Sequence, residues 1–130
     1  MIKEIAQYLE DNTAFVIGTN LFAGFSPATI TADRVILIES GGVGNFYLKD
    51  KKEKMLQVLV KAQDYHIAMT YAEVIYDLLN GMVGITLPKI TAITYFVNTC
   101  EAVSLPQSVG ADEKGLKNVS TNFLLRIEEV

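Results

Sequence analysis

Residues 34–80 constrain the fold most, because they predict two strands and a helix in close succession. The segment 34–39 is a run of β-branched and aliphatic residues between Arg34 and Glu39, and a double glycine at 41–42 halts it, which is typical of a strand followed by a turn. Residues 34–39 do not alternate between polar and apolar, so both faces of this strand should be covered. A second apolar run covers 55–61, and two residues later a helix begins that should extend over 64–80. The pattern predicts a helix lying on a sheet.

Clear end signals bound the helix over 64–80. Asp64 is a good N-cap, and Asn80 followed by Gly81 is a typical C-terminal stop. Two adjacent apolar lines and one polar line run along it, which predicts a wide buried face and one solvated stripe. The three lines are Ala68, Ala72, Ile75 and Leu79; Ile67, Tyr71, Val74 and Leu78; and His66, Thr70, Glu73, Asp77 and Asn80.

The remaining segments carry weaker signals. Residues 2–9 have the spacing of an amphipathic helix, and 15–17 are either a brief strand or an apolar plug in the core. Residues 21–27, rich in glycine, proline and aromatic side chains, are typical of an ordered loop. Residues 92–105 form one long strand with a bulge or two strands, and 119–127 alternate as a strand with one buried face.

Two long polar connections stand out, over 41–54 and 106–118. Four lysines lie within six positions of the first, but Asp50 and Glu53 between them favour a solvated loop over a nucleic-acid surface. Its aromatic pair, Phe46 and Tyr47, either packs under the hairpin or is available to bind a protein partner. Both connections are expected to be mobile in a monomer and to become ordered on contact with a partner.

Composition indicates a single acidic domain over residues 1–130. Half of the 130 residues are apolar, 20% are charged and the net charge is −4, which argues against a surface for nucleic acid. The one cysteine, Cys100, allows no internal disulfide and fits a reducing compartment. No run approaches the ~18 apolar residues that cross a bilayer, so no membrane partner is expected. The N-terminus lacks the pattern of a signal peptide.

No catalytic constellation is recognisable, so neither enzyme activity nor a cofactor or metal is expected. The single histidine, His66, has no carboxylate one turn away and is predicted to be a surface residue. Cys100 is predicted to be a half-buried strand residue rather than a nucleophile. The glycines at 41–44 precede a charged loop and a strand instead of a helix, so a hairpin explains them better than a phosphate site. Adjacent acid pairs, such as Glu128 and Glu129, are predicted to be solvated.

The order of several segments is similar to that of a known family. They are the N-terminal helix, then residues 21–27, 34–42, 55–65, 68–81 and 110–123. In this order they resemble the minor capsid or tail terminator family of long-tailed bacteriophages, over nearly the whole chain.

The resemblance implies an α+β fold, with a mostly antiparallel β-sheet and two α-helices packed on one face. It implies a structural virion protein at the head–tail interface, made in the host bacterial cytoplasm. A ring, usually of six copies, would cap the tail tube protein and present a surface to the head–tail connector protein. DNA would pass through the ring without specific binding. The residues implied as oligomer or tail-tube contacts are Gly44, Phe46, Tyr47, Lys49, Lys51, Lys52, Gln107, Asp112, Glu113, Lys114 and Lys117.

Two other functions stay open from the sequence. One is a minor capsid or head-completion protein, and the other is a small ligand-binding or enzymatic α+β domain. A concave pocket with perturbed titratable groups would favour the enzyme. A flat, self-complementary surface with loops on one side would favour the ring.

Overall fold

The computed structural model describes residues 1–27, 31–44 and 51–130 and contains a seven-stranded sheet and two helices. The six-strand path runs β1-β2-β3-β7-β5-β4, and β6 pairs with β7 beside it. Only the β1–β2 pair is parallel, so the predicted α+β fold with a mostly antiparallel sheet is confirmed. The elements are α1 Ile2–Asn12, β1 Leu21–Ala23, β2 Arg34–Gly44, β3 Lys51–Ala62, α2 Tyr65–Leu79, β4 Met82–Thr86, β5 Tyr95–Ala102, β6 Gln107–Ala111 and β7 Lys117–Glu129.

The paired strands β3 and β7 form the centre of the sheet. Their ladder is unbroken from Lys51 opposite Glu128 to Ala62 opposite Lys117. One face of this ladder packs against α2, and the buried side chains of both helices join it in a single apolar core. The alternation predicted for the last strand is confirmed, because its inward residues are all buried. They are Val119, Thr121, Phe123, Leu125 and Ile127.

Helix α2 begins and ends where its sequence signals predict. The Asp64 side chain accepts a hydrogen bond from the His66 N–H at 2.9 Å, and Asn80 follows as the C-cap residue. The predicted width of its apolar face is wrong, since Ile67 and Val74 are 38% and 43% exposed. One line, through Ala68, Ala72, Ile75 and Leu79, forms the fully buried stripe. Neither helix in the described part of the chain has the length and apolar content needed to span a membrane.

Helix α1 covers the other end of the sheet, against β1 and β2. Its inward residues Ile5 and Leu9 are fully buried. Just after it, Phe15 is buried and its ring lies edge-on to that of Tyr71, with centroids 5.0 Å apart. Of the two possibilities for 15–17, the core plug is therefore correct for Phe15. The segment 21–27 is not only a loop, since Leu21–Ala23 pair with β2.

Strand β2 departs from its prediction in two ways. Burial on both faces holds through Leu37, but Ile38 is half-buried and Glu39 is exposed. The double glycine does not end the strand, because pairing with β3 resumes after a register shift between Ser40 and Gly42. The described parts of the predicted connection, 41–44 and 51–54, therefore belong to paired strands instead of a loop.

Further along the chain, the strand predicted over 92–105 is a single strand, β5, with a register shift between Val97 and Thr99. Strand β4, Met82–Thr86, was not predicted. The interpretation of 106–118 as a long unpaired connection is wrong, because Gln107–Ala111 form β6 and Lys117 already belongs to β7.

Replacement of Ile75 by Ala should lower the free energy of unfolding by ~2–5 kcal/mol, since a fully buried side chain is removed from the core. The matched control is Val74→Ala, one residue away and exposed, which should change it by less than ~0.5 kcal/mol. Urea denaturation measures both. Equal losses in the two variants would contradict the assignment of the buried stripe.

Candidate assembly surfaces

The first candidate surface is the hairpin between β2 and β3. Its ladder continues as far as Gly44 opposite Lys52. Three of the residues implied as contacts, Phe46, Tyr47 and Lys49, lie outside the described residues.

A bulge near the double glycine shapes this hairpin. At Gly42 a Cβ atom would overlap the carbonyl oxygen of Glu53 on the partner strand, so only glycine fits there. At Gly41 a Cβ would meet no atom within 4 Å. The two glycines therefore differ in role, and neither opens a helix that could cradle a phosphate.

Three lysines on the described strands of this hairpin form ion pairs within the subunit. Lys51 lies 3.1 Å from Glu128 and Lys52 lies 2.6 Å from Glu129. Lys54 similarly lies 2.7 Å from Glu39. These cross-strand pairs neutralise much of the positive charge, as expected of a solvated loop rather than a nucleic-acid surface. They also show that Glu128 and Glu129 are paired with lysines rather than freely solvated.

The second candidate surface is the hairpin between β6 and β7, and Asp112 organises its turn. The Asp112 carboxylate accepts hydrogen bonds from the N–H groups of Lys114 at 2.9 Å and Leu116 at 3.0 Å. Its other oxygen lies 3.1 Å from the ammonium of Lys61 on β3. Gly115, with φ of 78°, supplies the left-handed conformation that closes the turn.

The pKa of Asp112 follows from these contacts. Partial desolvation raises it, but the hydrogen bonds from Leu116, Lys61 and Lys114 together outweigh that effect, so the pKa of the carboxyl lies below its ordinary 3.8. Asp112 is therefore charged at neutral pH and holds the turn, whatever further contact it makes.

The other implied residues of this hairpin are exposed or half-buried. Gln107 lies in β6, whose five residues are all exposed, and Glu113 and Lys114 form the tip of the turn. The half-buried Lys117 donates a hydrogen bond to the Gly115 carbonyl at 2.9 Å. In the part of the chain that the structure describes, β6 pairs with β7 alone, so its outer edge faces solvent.

The two hairpins lie at opposite ends of the central ladder. The first flanks the pair Lys51–Glu128, and the second flanks Ala62–Lys117. At ~3.3 Å per residue, the strand between them extends over roughly 36 Å. Those implied contact residues that the structure describes thus form two separate surfaces and do not project to one side.

The residues that the sequence offered for catalysis or metal binding do not form a site. His66 is exposed at the start of α2, as predicted. Cys100 is fully buried in β5 instead of half-buried; desolvation and then the charge of Glu101 raise the pKa of its thiol to about 12. Such a thiol is not ionised at neutral pH. Within residues 1–27, 31–44 and 51–130, no group of three or more His, Cys, Asp or Glu side chains could hold a metal ion.

Exposed apolar side chains lie at two other places, which no sequence pattern marked as functional. Phe25 is 75% exposed beside β1, and Leu105 is 69% exposed in the turn between β5 and β6. In the sequence, each is only an apolar residue next to a turn-forming one: Phe25 follows a glycine in a predicted loop, and Leu105 precedes a proline at a predicted strand end.

Comparison with known families gives one result that covers most of the chain. Residues 8–129 match the model of a family described as bacteriophage tail terminator protein. A search of curated proteins finds no match.

Replacement of Gly42 by Ala should destabilise the protein by ~1–3 kcal/mol, since the added methyl group must displace the backbone of β3. Gly41→Ala is the matched control and should change stability by less than ~0.5 kcal/mol. Thermal or urea unfolding of the two variants measures both changes in stability. If Gly42→Ala were as stable as Gly41→Ala, the close approach of the two strands would be refuted.

Proposed function

The chain belongs to the bacteriophage tail terminator family, and we propose that it caps the tail tube as a ring and joins it to the head connector. Proteins of this family are structural parts of the phage tail. The match over residues 8–129, nearly the whole chain, is the observation that carries the proposal.

The placement of the two hairpins supports a role between two partners. A protein that closes a tube and also receives a head has to offer one surface in each direction. The β2–β3 and β6–β7 hairpins lie at opposite ends of the same ladder, anchored at Lys51–Glu128 and Ala62–Lys117. In the proposed assembly, one hairpin contacts the tail tube protein and the other contacts the head–tail connector protein.

The edges of the sheet support a ring. Strands β1 and β4 end the six-strand path on opposite sides, so each copy has two different lateral surfaces. Contacts between unlike surfaces close into a ring when the rotation per copy divides a full turn. Six copies are the number that the family resemblance implies. The net charge of −4 and the paired lysines fit a ring through which DNA passes without specific binding.

The test uses phage tails assembled without this gene product. Purified protein is added to such tails and then to filled heads, and infectious particles are counted while tail ends are imaged by electron microscopy. The expected result is a cap at one end of each tail and restored head joining. A His66→Ala variant, altered only at an exposed site, should restore both to the same level.

Two outcomes would contradict the proposal. If the protein left tail ends bare but bound to heads, it would be a head-completion protein. If it bound neither tails nor heads, it would have no role in joining them.

A further inference from the structure

An apolar groove opens between α1 and the edge strand β1. It has a volume of about 420 Å³, and its walls include Phe22, Ile17 and Ile90. Phe25, the most exposed aromatic side chain of the described residues, stands at its rim. The only charged side chain in its lining is Lys3. We call this set of residues the β1 groove.

A second cleft lies between α2 and the turn that joins β5 to β6. It has a volume of about 460 Å³, and Met69, Tyr76, Leu105 and Pro106 form its apolar walls. Two carboxylates, those of Glu73 and Asp77, complete the lining, which holds no basic residue. We call it the α2 cleft.

The two surfaces face away from each other. Tyr71 lies on the flank of α2 that contacts Phe15, next to α1. At 3.6 residues per turn, Met69, Glu73 and Tyr76 lie roughly 140–200° around the helix axis from Tyr71. The α2 cleft is therefore on the flank opposite α1. A single copy cannot bring the two surfaces together.

The charges of the two surfaces are opposite in sign, and they form no ion pair within the described part of the subunit. Lysines on the central strands, such as Lys51 and Lys61, pair with carboxylates of the same chain. Within the described ranges, no carboxylate pairs with Lys3, and no cation pairs with Glu73 or Asp77. In a chain of net charge −4, an unpaired lysine among apolar side chains favours an acidic, apolar partner.

We propose that the partner is a second copy: Phe25 of one subunit enters the α2 cleft of the next, and Lys3 faces Glu73 and Asp77 there. This inference rests on the proposed ring and names its lateral contact. The Phe25 ring would leave water and pack against the apolar walls of the cleft, and the ion pair would fix the orientation of one subunit relative to the next. Each copy holds one groove and one cleft, so the contact repeats head to tail around a ring.

Charge reversal tests the contact through cap formation on tails. Lys3→Glu alone and the Glu73→Lys, Asp77→Lys pair should each reduce capping at least ~10-fold, because like charges would face each other across the interface. The three changes combined restore opposite charges and should recover most of the capping. Circular dichroism confirms that each variant is folded. Normal capping by both reversed proteins, or no recovery in the combination, would overturn the proposal.

Disulfide cross-linking tests the same contact without relying on capping. Cys100 is the only cysteine and is buried, so a Phe25→Cys, Leu105→Cys double variant adds the only exposed thiols. On mild oxidation, at high concentration and on tails, it should form a ladder of linked multimers. Each single variant should stay at monomer or dimer, and a mixture of the two should give mainly dimers.

The outcomes separate the two proposals. Absence of a ladder and of the mixed dimer, on tails that are normally capped, would refute the contact while the capping function stands. A ladder from the double variant, together with a parent protein that never caps tails, would refute the function and leave the contact between copies established.

Discussion

The pairing of β3 with β7 is the interaction on which the rest of the structure depends. Its twelve residue pairs join the two longest strands, and every other strand attaches directly or indirectly to one of them. The inward side chains of this ladder, such as Val58 and Phe123, form the floor under α2. Each of these two strands is preceded by a hairpin, and because the strands are antiparallel, the two hairpins lie at opposite ends of the ladder.

Elements with strong local signals could be predicted from the sequence. The Asp64 cap and the Asn80–Gly81 stop define α2 within one residue, since capping depends on side chains adjacent in the chain. The alternation along β7 likewise reports its own burial. The breadth of the apolar face of α2 was overestimated, because whether Val74 is covered depends on neighbours far away in sequence.

Short or exposed strands escaped prediction for a physical reason. Strand β6 is exposed on both faces, so no apolar pattern marks it, and its pairing with β7 alone orders it. Strand β1 has three residues and is defined by a parallel partner. The need for glycine at Gly42 comes from the Glu53 carbonyl of the opposite strand. The local sequence around Gly42 does not reveal that contact.

The same limit applies to the candidate surfaces. Sequence position identified both polar hairpins, but it could not place them at opposite ends of a ladder. Nor could it show that Lys52 meets Glu129, a residue 77 positions away. The β1 groove and the α2 cleft are assembled from segments that are distant in sequence, so exposed residues such as Phe25 and Leu105 gave no signal there.

In the assembly that we propose, the two ends of the β3–β7 ladder contact different parts of the virion. The most direct measurement is photo-cross-linking in assembled particles, with a photoreactive residue in place of Glu128 in one variant and Glu113 in another. Mass spectrometry then identifies the linked proteins. We expect one position to capture the tail tube protein and the other to capture the head–tail connector protein. Capture of the same protein from both positions would refute this arrangement.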